Sequence, residues 1–253
     1  KDILAMVRKS LDKKNAVLAF QPVMEARRPD HAAFYEALIR VIDDTGRVIP
    51  AKNFMPAIER AELGREIDVN ALNMGLRTLH QNPCIRLSIN MSARSIGYQR
   101  WMQTLNRWLK KDESVADRLI LEITEASAML VPELVVQVMR DLQRLGISFA
   151  LDDFGAGYTS FRYLRDFCFD MIKIDGQFIR EIATKPDNQV LTRALQSIAH
   201  HFDMFTVAEC VEKKEELAFL QEAGIDCLQG YLFGRPETVP VWKEEETSLE
   251  GYI

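Results

Sequence analysis

Acids, an amide and a lysine stand at the ends of short apolar runs along this chain, and that recurrence sets the chemistry it could do. The runs read AFYEALIR, LSINMS, LILEITE, SFALDDFG, MIKIDG and TVAECVE. They put Glu36, Asn90, Glu122, Asp152, Asp153, Lys173 and Glu209 where a hydrophobic strand would stop. A carboxylate in such a place loses hydration it can recover only from a partner. Repetition implies a shared centre, and oxygen donors of this kind suit Mg²⁺ or Mn²⁺. Alone, each member has an ordinary reading. Glu36 or Glu122 reads as a surface acid, Asn90 and Gln229-Gly230 as turns, and Lys173 as a snorkelling surface lysine. The weight lies in the set, each member at the same end of a successive strand.

The elements that must hold these groups alternate. Strands are predicted at about 17–23, 33–40, 86–91, 119–124, 147–152, 171–175, 205–209 and 227–231. Helices are predicted at 2–13, 53–62, 64–80, 99–110, 188–203 and 213–223. Another opens at Pro132-Glu133, with Leu134, Val138, Leu142 and Leu145 at helical spacing and Gly146 as its cap. Such alternation implies parallel strands with right-handed crossovers. Only ARRPDH links the first two strands, too short for a crossover, so that pair reads as antiparallel. The simplest architecture is an α/β, (β/α)8 TIM-like barrel with one antiparallel strand near the N-terminus. Its active site would lie at the C-terminal strand ends.

Strand parity groups Glu36 with Leu38 and Arg40, Ser88 with Asn90 and Ser92, Glu122 with Thr124, and Lys173 with Asp175. Asp152 and Asp153 are adjacent and would point apart unless the backbone turns; Gly155 and Gly157 are the expected source of that turn. Phe161 and Tyr163 read as packing residues. His200 and His201 are neighbours on a helix, cannot share a face, and make no metal pair.

The net charge of −5 argues against a DNA or RNA polymer or an anionic membrane as partner. A small anionic ligand is compatible if cations sit between it and the acids. Hydrophobic residues make up 47% of the 253, enough for a large core in one domain spanning 1–253. Cys84, Cys168, Cys210 and Cys227 lie far apart, without C-x-x-C spacing, and read as reduced, mostly buried thiols of a cytoplasmic protein. No apolar stretch approaches the ~18 residues of a membrane span, so direct insertion is not expected, though a parent protein could be membrane-anchored. The opening Lys1-Asp2 is the pattern expected of a domain excised from a larger multidomain protein, and the charged tail 243–250 reads as frayed.

These motifs resemble the EAL-domain family of cyclic di-GMP phosphodiesterases. The chain carries FQPV (20–23), EALIR (36–40), SINMS (88–92), EITE (122–125), DDFGAGYTS (152–160), KIDGQFI (173–179), AECVE (208–212) and QGYLFGRP (229–236) in the family's order, with a core of about 17–240. The resemblance implies two Mg²⁺ or Mn²⁺ ions, with Ca²⁺ inhibitory. Glu36, Asn90, Glu122 and Asp152 would hold one; Asp152, Asp153 and Glu209 would hold the other. The pair would activate a water against a phosphodiester, opening cyclic di-GMP to linear 5′-pGpG. Lys173 would orient that water, Arg40 would contact phosphate, Gln21 and Gln229 would line the cleft, and Asp175 and Glu212 would support it. Glu125 would anchor the loop after Asp153, which in the family also shapes a homodimer contact. Attached sensory or GGDEF domains are implied. Cys210 stands where the family has glycine, Val41 where it has tryptophan and Ala156 where threonine is common. The alternative reading is a catalytically weak or inactive receptor for the same dinucleotide, since family members of that kind exist.

Overall fold

Parity decides this fold. In the computed structural model, which describes residues 3–155, 164–240 and Trp242, the strands are β1 (Ala16–Glu25), β2 (Arg28–Ile42), β3 (Val48–Pro50), β4 (Leu87–Asn90), β5 (Leu119–Thr124), β6 (Ser148–Phe154), β7 (Met171–Ile174), β8 (Phe205–Ala208) and β9 (Cys227–Gln229). Their order is β1-β9-β8-β7-β6-β5-β4-β2, and pairing of β1 with β2 closes the ring. The expected TIM-like barrel is therefore present. β1 runs antiparallel to both neighbours, and the other ring strands are parallel. The β1–β2 hairpin turns at Ala26-Arg27, tighter than the six-residue connection read from sequence. β3 was not anticipated; it pairs on the far side of β2, outside the ring, and VIP is too short to register as a strand by pattern.

One set of alternate residues fills the barrel. Val23, Phe34, Ile120, Ala150, Met171 and Val207 are buried together as an apolar layer. Two residues further along the parallel strands stand Glu36, Glu122, Asp152, Lys173 and Glu209; two residues earlier along the reversed β1 stands Gln21. The apolar floor removes water from beneath those polar groups. Leu119, Leu121, Ile123, Phe149, Leu151, Ile172 and Ile174 have the opposite parity and pack into the outer core with the helices. Burial of each such side chain contributes about 1.5–3 kcal/mol.

The larger helices are α1 (Ile3–Asp12), α2 (Glu62–Gln81), α3 (Gln99–Lys111), α4 (Pro132–Gln143), α5 (Pro186–His201) and α6 (Lys214–Glu222). Pro132 opens α4 and Gly146, at φ +98°, follows its end, as expected. Its buried face is Val135, Met139 and Leu142, however, and Leu134 and Leu145 are exposed. The helix expected at 53–62 is instead a 3₁₀ turn at Ala51–Asn53 and a four-residue turn at Met55–Ile58. Ala61, extended at φ −92° and ψ 167°, stops it before α2 begins. Among the described residues no helix is long and apolar enough to cross a membrane.

The cysteines also depart from expectation. All four are free; Cys84 and Cys168 are exposed on loops, and Cys210 and Cys227 are half-buried. Val41 is fully buried in the outer core, opposite Ile49 of β3, so it packs away from the barrel interior. Gly157, Phe161 and Tyr163, the rest of the loop after Gly155 with Ala156, and the tail at 243–250 lie outside the described residues.

Helix α2 fixes one side of the mouth. Asp68 is buried, accepting hydrogen bonds from the Ser92 backbone N–H at 3.0 Å and from Ser95 Oγ at 2.6 Å. Burial raises its pKa to about 6 against the lowering effect of those two bonds. The folded value exceeds the unfolded one, so this group stabilises the fold below pH 4 and loses that contribution as pH rises towards 6. Asp68→Asn keeps an acceptor without the charge. The stability of Asp68→Asn minus that of wild type should grow by roughly 3 kcal/mol between pH 4 and pH 7; a pH-independent difference in urea unfolding would contradict the assignment.

Candidate active site

Lys173 organises the centre. It projects from β7 and is 1% exposed. Its Nζ lies 2.9 Å from Glu122 Oε2, 2.9 Å from Glu209 Oε1, 3.1 Å from Asp152 Oδ1 and 3.5 Å from Glu36 Oε2. Carboxylates from β2, β5 and β6 and from the residue just past β8 thus converge on one ammonium. Glu36 also accepts hydrogen bonds from Asn90 Nδ2 at 2.7 Å and from Gln229 Nε2. Gln229 Nε2 donates to Gln21 Oε1, and Gln21 Nε2 to the Gly234 carbonyl. These contacts bring Gln21, Glu36, Asn90, Glu122, Asp152, Lys173, Glu209 and Gln229 into one cluster.

Asp153 joins by a backbone device that its spacing did not reveal. The ladder between β6 and β7 slips between Leu151 and Phe154. Asp153 itself sits in the left-handed region at φ +55°, ahead of Gly155 at φ +91°. The turn therefore begins at Asp153 and is not left to the glycines. A bulge of this kind re-aims one side chain at the end of a strand. One ligand oxygen from each of Asp152, Asp153 and Glu209 then lies within 4.8 Å of the others.

Charge balance shows what the centre lacks. Burial raises the Glu122 pKa well above the usual carboxylate range, with Glu36 and Asp152 adding to the rise against the pull of Lys173. Burial likewise raises Glu209 to about 8, and burial with the Asp152 and Asp175 charges raises Asp153. Glu36 goes the other way: burial would raise it, but Lys173 and the amides of Gln229 and Asn90 outweigh burial and lower it. Burial pulls down the Lys173 pKa, yet the surrounding carboxylates more than reverse that, and the lysine stays charged. One cation among five carboxylates leaves the others without compensation. Among the described residues no well-formed hydrogen bond reaches the buried Glu122 Oε1, with Ser88 beside it. An all-oxygen donor set with surplus negative charge and a buried oxygen short of hydrogen bonds fits hard divalent cations.

Other expected site residues lie around this centre. Arg40 is half-buried on β2, its Nη1 donating to the Ile39 carbonyl. Asp175 caps the short turn Gly176–Ile179 through the Gln177 N–H at 2.8 Å. Glu212 is exposed at a cavity wall. Glu125 is buried in the turn Glu125–Ala128 after β5; the loop it was expected to anchor extends outside the described residues. Cys210 sits in the left-handed region at φ +57°, at a cost of roughly 1–2 kcal/mol for a residue with a Cβ.

Two cavities open beside the cluster, and both touch Glu36. One, of about 210 Å³, lies towards Glu209, Cys210, Gln229 and Tyr231. The other, of about 430 Å³, lies towards Leu38, Asp68, Asn90, Asp152 and Asp153. A larger groove of about 450 Å³ along α4 lies away from these groups. Two residues outside the motifs also lie beside the site, Asp68 and Arg180, and the Arg235 guanidinium stands 4.9 Å from the Tyr231 ring. Asp68 sits inside an ordinary amphipathic pattern and gave no separate signal.

Gly230 had read as a mere turn residue. Its bare α-carbon lies against the backbone of Val211: a Cβ there would stand 2.1 Å from the Val211 carbonyl oxygen. Two backbone bonds, Val211 N–H to the Gln229 carbonyl and Leu232 N–H to the Val211 carbonyl, hold that approach. Gly230→Ala should therefore cost about 3 kcal/mol of stability, measured by chemical denaturation; a change within ~0.5 kcal/mol would show that the backbone gives way freely.

Comparison with known proteins agrees with this architecture. The family model described as EAL domain matches residues 4–236. The chain is 31% identical over 250 residues to the cyclic di-GMP phosphodiesterase PdeB of Shewanella oneidensis, covering 96% of this chain and 29% of that protein. It is 31% identical over 239 residues to the probable cyclic di-GMP phosphodiesterase PdeA of Escherichia coli, covering 93% and 32%. The chain thus spans about a third of the length of the curated relatives it matches. Among solved structures, the FimX EAL domain from Pseudomonas aeruginosa bound to c-di-GMP superposes with a TM-score of 0.86 at 26% identity, over 94% of this chain and 98% of that one. The PaMucR phosphodiesterase in its c-di-GMP complex gives 0.82 at 27%, over 96% and 100%. With its closed barrel and the ordered motifs at one end, this chain belongs to the EAL domain family.

Proposed function

We propose that this domain hydrolyses cyclic di-GMP to linear 5′-pGpG. The observation that carries the reading is the buried acid and lysine cluster set between two cavities that meet at Glu36. A ligand with two nucleoside lobes and phosphodiesters between them matches that layout. Relatives named as phosphodiesterases, and solved EAL domains in complex with c-di-GMP, support the same choice.

Glu36, Asn90, Glu122 and Asp152 would hold one Mg²⁺ or Mn²⁺, and Asp152, Asp153 and Glu209 a second. Such ions supply Lewis acidity and a nucleophilic water at neutral pH. The chain's own groups do the rest. Lys173 holds positive charge at the centre and offsets negative charge that develops on the phosphoryl oxygens. Arg40 presents a guanidinium to a phosphate, a pairing its planar fork favours. Gln229 and Asn90 hold the Glu36 carboxylate in place, and the apolar floor below keeps bulk water out. Water oxygen bonds to phosphorus as the P–O3′ bond breaks, and O3′ leaves as a hydroxyl carrying a proton. The greater length of the relatives supports a domain that works within a longer, regulated protein.

Incubation with cyclic di-GMP and Mn²⁺ or Mg²⁺, followed by nucleotide chromatography, tests the proposal. Accumulating pGpG is the expected result. Tight binding with the dinucleotide intact would make the domain a receptor instead.

A further inference from the structure

The cavity of about 210 Å³ beside Glu36 carries a cation that the motifs do not assign. Arg180 lies at its wall, at the end of the short turn that follows β7. The same wall holds Glu36, Glu209 and Glu212, so anions surround it. Yet among the described residues no carboxylate lies within 4.0 Å of the Arg180 guanidinium. Its contact is to a thiol: Nη2 stands 3.7 Å from Cys210 Sγ. Cys210 in turn is wedged against the bare α-carbon of Gly176, where a Cβ would come within 2.5 Å of the sulfur. The thiol is a weak acceptor and leaves the guanidinium's hydrogen-bonding capacity largely unspent. A surface arginine with acids nearby ordinarily pairs with one of them. Here its side-chain contact is the Cys210 sulfur instead.

We propose that Arg180 is a substrate-binding residue, hydrogen-bonding the phosphodiester that is not cut while the scissile one lies at the acid cluster. The inference rests on the cyclic dinucleotide reading above and deepens it. A cyclic dinucleotide has two phosphodiesters, and three arginines near the site have no carboxylate partner within 4.0 Å among the described residues: Arg40 on β2, Arg235 over the Tyr231 ring, and Arg180, the one that lines the smaller cavity. Arg180 is exposed, so its loss leaves no buried group unpaired, and its effect belongs to the ligand rather than to the fold. Cys210 acts here as a positioning residue, through its sulfur.

Steady-state hydrolysis of cyclic di-GMP with Mn²⁺ should compare wild type, Arg180→Ala and Arg180→Lys, with melting temperatures taken alongside. Arg180→Ala is expected to raise KM about tenfold, with the loss in kcat/KM arising from that rise. Arg180→Lys should recover part of it, because the point charge remains while the bidentate fork is lost. Wild-type KM should climb with salt more steeply than that of Arg180→Ala. An unchanged KM in Arg180→Ala, or a fall in kcat alone, overturns the assignment. If the wild type neither binds nor cuts the dinucleotide, the functional reading itself fails, and that result is separable from the first.

Discussion

Replacing Lys173 with methionine will lower turnover of cyclic di-GMP by on the order of 10²–10³-fold, the usual effect of losing one preorganised charge at a reacting centre. The same substitution will destabilise the metal-free protein. Lys173 lies within 3.5 Å of four carboxylates and is 1% exposed, so its removal leaves those acids facing one another with no cation. Breaking a buried ion pair from one side costs about 3–5 kcal/mol. The pH dependence has a definite sign. Without the lysine the already raised Glu122 and Glu209 pKa values rise further, so the folded state binds more protons than the unfolded state, and stability falls as pH rises through those values. Divalent cation should restore more stability to Lys173→Met than it adds to wild type. Thermal melts with and without Mn²⁺, beside steady-state rates, check both parts. Wild-type turnover in Lys173→Met would remove the lysine from the mechanism.

Asp152→Ala should reduce turnover by a comparable or larger factor, on the order of 10³-fold, while the metal-free protein becomes no less stable than wild type. Charge decides the sign. Asp152 repels Glu122, Asp153 and Glu209 and helps to raise all three pKa values. Its oxygen is buried near Lys173 without a well-aligned hydrogen bond. Truncation therefore relieves repulsion in the protein while deleting the one residue assigned to both cation sites. The Glu209 pKa, raised to about 8 in wild type, should fall in the variant. The opposite stability signs of the two variants separate catalysis from folding. A melting temperature several degrees below wild type for Asp152→Ala would contradict this balance; so would retained activity.

Much of the ring could be read in advance because alternation along a strand is rigid. Glu36, Glu122, Lys173 and Glu209 each follow an apolar residue of the same parity by two positions, and each reaches the interior. Asp153 shows where that logic stops. A period of two places it away from Asp152, and only a left-handed residue and a slipped ladder bring it back. Leu134 and Leu145 had the right spacing for a buried stripe, but Val135 and Met139 won because the stripe was wide enough for two registers. The break at Ala61 came from backbone conformation that side-chain chemistry does not announce. Arg180 was passed over for another reason: its significance depends on what fails to approach it, and that appears only once Cys210 is placed.

The reversed direction of β1 has a mechanical consequence. A strand that descends begins at the rim, so α1, which precedes it, is delivered to the mouth and not to the sealed floor. There Ser10 Oγ donates to the Ile42 carbonyl, Lys9 and Lys13 both grip Asp44, and the Ile42 N–H binds the Asn15 carbonyl. Ile42 ends the strand that carries Glu36 and Arg40. A force applied to α1 would therefore pass into the strand that carries those two side chains.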